Sequence, residues 1–158
     1  MPPPAEPPEL AVFVGLQASG KTSFYRSRLA ATHVLVSKDL MPNVRDRERR
    51  QRELVQRALV AGRSVAVDNT NASAESRAAL IAIGHEHGAR VVGYAFESEI
   101  AACLARNAAR EGRARVAAVA LHVTRHRLQW PSLAEGFDAL FRVRLLSPAD
   151  FAVERLPG

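Results

Sequence analysis

Apolar and polar residues along the chain recur with two periods, and the switches between them predict an order of strands and helices. Short apolar runs bounded by turn residues are typical of buried strands, and longer runs with apolar residues three or four apart are typical of helices. We predict five strands, at 10–14, 33–36, 64–68, 90–96 and 140–145. We predict five helices, at 21–31, 44–61, 73–87, 100–109 and 115–128. Residues 147–158 have no informative pattern.

This order of elements predicts the fold class. Strands that alternate with helices of this length form a parallel sheet with helices on both faces, so we expect an α/β protein with three layers and about five strands. The 158 residues are enough for one domain with a sizeable core. We expect residues 10–158 to be that domain and residues 1–9, which contain five prolines, to be a disordered leader.

Composition excludes several classes of protein. No apolar run approaches the length of a membrane span, and the first residues lack the basic and then apolar order of a signal peptide. The single cysteine, Cys103, allows no internal disulfide and is expected to be a small core residue. We therefore expect a cytoplasmic protein with no membrane contact.

The residues after the first predicted strand fit a phosphate-binding loop. Gly15, Gly20, Lys21 and Thr22 match the pattern G-x-x-x-x-G-K-[ST], with a strand before it and a helix after it. Backbone amides at the start of that helix would hold phosphate oxygens. Lys21 would reach the β- and γ-phosphates of ATP, and the Thr22 hydroxyl would ligate Mg²⁺. The other predicted ATP contacts in this loop are Gln17, Ala18, Ser19 and Ser23.

The chain is basic, which favours an anionic partner. It has 22 lysines and arginines against 16 acids, and its pI is about 10.6. Only two of the 22 are lysines, Lys21 and Lys38. Because arginine does not replace a compact ammonium that must reach a phosphate, Lys21 is interpreted as chemically required. Lys38 is either a contact for the phosphate acceptor or an accident of composition.

Acidic residues follow the second and third predicted strands, at the sheet edge where open α/β proteins bind ligands. Asp39 is a candidate general base for an attacking hydroxyl, or alternatively a helix N-cap. Asp68 is a candidate to support Mg²⁺, directly or through water. Asn69 is a candidate acceptor contact, or it shapes the turn together with Thr70 and Asn71.

Arginines are concentrated in two segments. Arg106, Arg110, Arg113 and Arg115 surround Gly112 between two helices, as in a mobile lid that closes over phosphates, or as in a solvated linker. In the helix at 44–61, spacing predicts the ion pairs Asp46–Arg50, Glu48–Arg52 and Glu53–Arg57. Arg45, Arg47 and Arg49 are then left over, and a polyanionic acceptor could follow the stripe that Arg45 shares with Arg49.

Five segments together resemble the kinase domain of polynucleotide 5′-hydroxyl kinases and related stand-alone bacterial P-loop ATPases. They are GLQASGKTS, VSKD, VAVDNTN, CLARNAAR and PSLAEGFD, and the resemblance covers roughly residues 10–146. It implies a P-loop NTPase fold of the adenylate-kinase-like type with a small helical lid. It also implies ATP and Mg²⁺ as cofactors and the 5′-hydroxyl end of DNA or RNA as acceptor, with Asp39 as general base, Arg110 as the lid arginine and Arg106 beside it.

The sequence departs from the family at the acceptor side. Some members have an arginine three residues after the base, where this chain has Pro42, and Arg45 is the candidate substitute. Two alternative interpretations are therefore a kinase of a small molecule or a nucleoside, and a regulatory module that binds ATP without phosphate transfer.

Two smaller features follow the last predicted helix. Trp130 either stacks on a base or packs at a helix end. Residues 132–135 fit a capping box at the start of a short helix.

Overall fold

The computed structural model describes residues 6–157 and contains a six-stranded sheet with helices on both faces. The strands are β1 (Glu9–Val14), β2 (His33–Val36), β3 (Ser64–Val67), β4 (Arg90–Phe96), β5 (Ala139–Ser147) and β6 (Asp150–Arg155). The helices are α1 (Lys21–Phe24), α2 (Arg47–Val60), α3 (Ala74–Glu86), α4 (Ile100–Ala108) and α5 (Ala118–Arg127). Most of the proposed leader, residues 1–5, lies outside the described residues.

The sheet has the order β2-β3-β1-β4-β5-β6, and all of its pairings are parallel except β5 with β6. This confirms the predicted α/β fold class, with six strands instead of about five. The extra strand, β6, lies in the segment whose pattern was uninformative. It forms a hairpin with β5 and buries Phe151, whose ring centroid lies 5.3 Å from that of Phe24.

Successive side chains of β1 pack alternately into two hydrophobic cores, one on each face of the sheet, as expected for a strand covered on both faces. Leu10 and Val12 pack with α2 and α3 on one face. Ala11 and Phe13 pack on the other face with Phe24, from the helix that follows the phosphate loop. The carboxyl ends of the parallel strands therefore meet at one edge, with the phosphate loop in the middle of that edge.

Several helix limits differ from the predicted ones. The helix after the phosphate loop continues from α1 as a π-helix over Tyr25–Leu29. α2 begins at Arg47 because the Asp46 side chain accepts from the Arg49 amide and caps it. α5 begins at Ala118, after a 3₁₀ turn at Gly112–Ala114. The capping box at Ser132 and Glu135 is confirmed. Among the described residues, no helix is both long and apolar enough to cross a membrane.

Candidate active site

The phosphate loop joins β1 to α1 with a backbone that only some residues tolerate. Gly20 caps α1 with a φ of 99°, which is the left-handed region that glycine adopts without strain. At Gly15 a Cβ atom would lie 2.9 Å from the Phe96 Cβ and 3.0 Å from the Ser19 Oγ. A side chain at either position would therefore displace the loop.

Lys21 occupies the centre of the loop and is buried. Its Nζ donates to the carbonyl oxygens of Gly15 and Leu16, at 3.0 and 2.6 Å. Burial lowers the pKa of Lys21 to about 8, although the carboxylate of Asp68 acts in the opposite direction. The ammonium is thus held by neutral carbonyls at a position where phosphate oxygens would bind it more strongly.

Two buried side-chain oxygens in the loop have no hydrogen-bond partner among the described residues. They are Ser19 Oγ and Gln17 Oε1. A buried polar atom that lacks a partner is destabilising unless a ligand or water satisfies it. The Ser19 hydroxyl can donate to a phosphate oxygen, which fits the predicted ligand. Gln17 is fixed from the other side, since its Nε2 donates to Thr124 Oγ1 of α5 at 2.9 Å.

Thr22 and Asp68 form an oxygen pair at the end of β3. The Thr22 hydroxyl donates to Asp68 Oδ2 at 2.7 Å. Burial raises the pKa of Asp68, and Lys21 and the Thr22 hydrogen bond oppose that effect. Hydroxyl and carboxylate oxygens are the ligands that Mg²⁺ prefers, so this pair fits the ion that the sequence implies.

The turn after β3 is tied to the phosphate loop and to α2. The Gly15 amide donates to the Thr70 carbonyl at 3.1 Å, and the Asn71 side chain donates to the Phe13 carbonyl at 2.7 Å. Asn69 bridges the backbone amide of Lys38 and the Gln51 side chain. Asn69, Thr70 and Asn71 therefore shape the turn, while Ser73 caps α3. Whether Asn69 also contacts an acceptor stays a prediction.

Asp39 lies in a 3₁₀ turn, Lys38–Leu40, just beyond β2. It is not the N-cap that the alternative interpretation proposed, because Ser37 accepts from the Asp39 amide and caps the turn. The Asp39 side chain is exposed, and within residues 6–157 neither of its carboxylate oxygens has a hydrogen-bond donor. Its charge raises the pKa of Lys21, but it is the smallest of the influences on that pKa, after burial, Asp68, Cys103 and Arg110. Asp39 and Asp68 thus follow two neighbouring parallel strands, since β2 pairs with β3 and the Asp68 amide donates to the Val36 carbonyl at 2.9 Å.

The lid arginines differ in their contacts. Arg106 donates to the Ala18 carbonyl at 2.6 Å and to Ser98 Oγ at 2.7 Å, so it is fixed against the phosphate loop. Within residues 6–157 Arg110 donates one hydrogen bond, a long one to the Ala114 carbonyl at 3.3 Å. Arg113 reaches the Asp39 carbonyl at 3.4 Å. Arg110 is therefore less constrained than Arg106.

A cavity of about 340 Å³ opens beside the loop, between the lid and the β5–β6 turn. The lid side is formed by Arg106 and Arg110, and the loop side by Ala18, Gly20 and Ser23. The remaining wall was missed by the sequence analysis, and its residues are Leu145, Ser147 and Pro148. The Ser-Pro pair at the end of a strand is a turn signal, but its place against the phosphate loop depends on β6.

Ion pairs occupy some of the basic residues that were predicted to contact an acceptor near the start of α2. Lys38 pairs with Glu48. Glu53 pairs with Arg49 and Arg50, at 3.3 and 3.5 Å. The predicted pairs within α2 were therefore wrong, because Asp46 is used as a cap and Glu48 reaches outside the helix. Arg49 is not left over, while Arg45 is exposed and forms no ion pair within residues 6–157.

A buried ion pair that the sequence analysis missed supports the same edge of the sheet. Arg77 of α3 is fully buried and binds Glu135 through two nitrogens, at 2.8 and 3.1 Å. It also donates to the carbonyls of Asn71 and Ala72. Arg77 therefore connects the turn after β3 to the segment that precedes β5.

Comparison with known structures identifies the fold. Kti12 from Chaetomium thermophilum in complex with ADP-AlF3 aligns with a TM-score of 0.67 and 17% identity, over 85% of this chain and 88% of that one. A fungal RNA kinase aligns at 0.68 and 13%, over 87% of this chain and 38% of that one, so the chain spans less than half of that kinase. A gluconokinase from Sinorhizobium meliloti aligns at 0.63 and 16%, over 92% and 87%.

The family match covers most of the described residues. The AAA domain family (AAA_33) matches residues 10–132, which include the phosphate loop, both candidate acids and the lid. With an α/β sheet of this order, the chain has a P-loop kinase-like fold and belongs to the AAA domain family AAA_33.

Proposed function

We propose that the protein is an ATP- and Mg²⁺-dependent phosphotransferase that moves the γ-phosphate of ATP to the 5′-hydroxyl of a polynucleotide. The observation that carries the proposal is the position of Asp39. Its carboxylate is exposed and has no hydrogen-bond donor among the described residues, and it follows β2, the strand that pairs in parallel with β3, which ends just before Asp68. A protein that only binds nucleotide has no need of a free carboxylate there.

The donor side is assigned from the loop contacts. Lys21, the loop amides and the Ser19 hydroxyl bind the phosphates, and Arg106 and Arg110 line the cavity that holds the rest of the nucleotide. Thr22 and Asp68 would hold Mg²⁺, which when bound neutralises charge on the phosphates. ADP-AlF3 in the Kti12 complex supports nucleotide binding by this fold.

The acceptor side is assigned to the turn beyond β2, where Asp39 lies. Asp39 accepts the proton of the attacking hydroxyl, and Arg110 moves from its weak contact with Ala114 towards the transferring phosphate. The hydroxyl oxygen then forms a bond to the γ-phosphorus while the bond from that phosphorus to its bridging oxygen breaks, and the products are the 5′-phosphorylated acceptor and ADP. The similarity to a fungal RNA kinase and the excess of basic residues support a polynucleotide acceptor.

A small hydroxyl compound is the second candidate acceptor. The gluconokinase has the same fold over most of its length, and Glu48 neutralises Lys38 beside Asp39. Both observations favour an acceptor that makes few phosphate contacts.

The test is phosphate transfer from γ-labelled ATP to a panel of acceptors. The panel contains a 5′-hydroxyl oligonucleotide, the same oligonucleotide already 5′-phosphorylated, and small sugar acids and nucleosides. We expect label only on the 5′-hydroxyl strand. Label on a small compound and on neither strand would replace the proposal by the second candidate, and ATP binding without any transfer would favour a regulatory module.

A further inference from the structure

The outward face of α5 exposes large apolar side chains that the proposed reaction does not use. The opposite face is anchored, because Leu121 is fully buried and Thr124 holds Gln17 of the phosphate loop. The outward residues are Val119, Val123 and, three residues beyond the helix, Trp130, with 66%, 42% and 45% of their surface exposed. An indole at this exposure does not serve mainly to fill a core, so packing alone does not explain it.

The same segment is strongly cationic. Residues 112–134 contain no aspartate or glutamate. They contain the arginines Arg113, Arg115, Arg125 and Arg127 and the histidines His122 and His126. None of these four arginines forms an ion pair within residues 6–157, whereas Arg142 pairs with two glutamates and Arg77 with one. The segment that leads into α5 and the last turn of α5 therefore carry exposed positive charge that nothing in the described chain neutralises.

Three contacts place this segment along the candidate active site. At its beginning, Arg113 donates to the Asp39 carbonyl. Near its middle, Thr124 holds the phosphate loop through Gln17. At its end, the Gln129 amide donates to the Ala72 carbonyl at 2.8 Å and the Gln129 side chain accepts from the Ala74 amide at 2.7 Å. Gln129 is thus fixed next to the turn that follows Asp68, and Trp130 is the next residue.

We propose that the segment made of Arg113, Arg115, Val119, Val123, Arg125, Arg127 and Trp130, here called the α5 surface, binds the single-stranded part of a polynucleotide behind its 5′ end. Trp130 stacks on a base, and the arginines contact backbone phosphates. This inference rests on the proposed polynucleotide acceptor. Interleaved aromatic and cationic side chains suit single strands, because every base has a stacking face and every nucleotide a phosphate. A small hydroxyl compound would be too short to use such a surface.

The chain provides its own probe, since Trp130 is its single tryptophan. Intrinsic fluorescence is measured while the full-length protein is titrated with a single-stranded oligonucleotide of about ten nucleotides. We expect quenching with an affinity that falls steeply as salt rises. A mononucleoside 3′-monophosphate is expected to quench weakly, because a ligand that binds at Asp39 and has one nucleotide is too short to extend to Trp130.

Two variants and one control separate stacking from charge. Trp130→Ala is expected to raise the KM for the oligonucleotide about tenfold while kcat and the KM for the mononucleoside 3′-monophosphate stay unchanged. Arg125→Gln with Arg127→Gln keeps the fluorophore and is expected to make the slope of log affinity against log salt shallower by about 0.7 for each phosphate that the variant no longer neutralises. Arg63→Gln removes an equally exposed arginine just before β3, at the opposite edge of the sheet, and is expected to change neither quantity.

The outcomes distinguish this inference from the reaction on which it rests. Phosphate transfer to the oligonucleotide with wild-type KM in both variants would overturn the α5 surface and leave the reaction standing. Salt-dependent quenching without any transfer would support the surface and contradict the reaction. Equal quenching by polyglutamate would identify a surface for acidic protein and overturn the inference.

Discussion

The Lys21 side chain in the phosphate loop has a pKa well below that of an ordinary lysine. Burial places its pKa at about 8, and phosphate oxygens favour the ammonium, so nucleotide binding should take up a proton above that pH. We expect ATP affinity to fall as pH rises above about 8, by up to about tenfold per pH unit. Calorimetry in buffers of different ionisation enthalpy measures the linked proton.

The control is Lys21→Arg, whose guanidinium stays charged throughout this range. Its ATP affinity, although lower, should not vary with pH in the range just above the Lys21 pKa of about 8. A wild-type affinity that is also constant there would mean that Lys21 keeps its proton in the free protein.

Arg106 and Arg110 line the same cavity but should respond differently to substitution. Arg110→Ala is expected to lower kcat about 10²-fold with little change in Tm, because this guanidinium has one weak contact in the structure. Arg106→Ala is expected to lower Tm and ATP affinity together, since it breaks bonds to Ala18 and Ser98. Thermal unfolding with and without ATP, beside steady-state kinetics, separates the two. Identical profiles would contradict the distinction.

At this scale the sequence singled out candidates through local patterns. Asp39 and Asp68 became candidates because each follows a strand, and Lys21 because it ends a known spacing; their roles stay predictions. The partners that hold these residues and the turns beside them, such as Gln51 and Arg77, were not found. Their hydrogen bonds join residues 18 and 58 positions apart, and no local pattern encodes such a pairing.

Among the elements, α3 and the segment before β5 are joined by the buried Arg77–Glu135 pair. Arg77→Met would remove the side-chain donor of the Asn71 carbonyl, and it would leave Glu135 and the Ala72 carbonyl with only the amides of Ser132 and Gln129. Loss of one partner from a buried pair costs about 3–5 kcal/mol, so we expect a Tm lower by about 10 °C. Arg90→Met removes a half-exposed guanidinium 3.7 Å from Glu9 and should change Tm little.

The same pair should make stability depend on acid. Burial acts to raise the pKa of Glu135, but hydrogen bonds from Arg77 and the Ser132 amide hold it below the ordinary value. Its stabilisation is therefore present at neutral pH and is lost as pH falls through the lowered pKa. Equal Tm losses for Arg77→Met and Arg90→Met at neutral pH would contradict a stabilising role for the buried pair.

The elements themselves were predicted better than their ends. All five predicted strands are present in the structure. They were recognisable because a strand that helices cover on both faces is a continuous apolar run. β6 was missed because only Phe151 of its six residues is buried, and its pairing with β5 supplies the rest of its stability. The start of α2 was misplaced because Asp46 was assigned to an ion pair and not to a cap.

At the scale of the whole molecule, the proposed donor and acceptor sites lie towards different ends of the strand order. The cavity proposed to hold the nucleotide lies between the lid and the β5–β6 turn, while Asp39 lies beyond β2. The basic composition indicated an anionic partner but not where it binds. Its location depends on which arginines the fold leaves unpaired, and that follows from tertiary contacts.

The most direct test compares wild type with Asp39→Asn for transfer of γ-labelled phosphate to a 5′-hydroxyl oligonucleotide, with ATP affinity measured in parallel. Asp46→Asn is the matched control, because it makes the same charge change nearby and asparagine remains a good helix cap. We predict that Asp39→Asn lowers kcat about 10²-fold or more while ATP affinity and the control stay near wild type. Equal losses of transfer and ATP affinity, or full transfer by Asp39→Asn, would contradict Asp39 as the acceptor-side base.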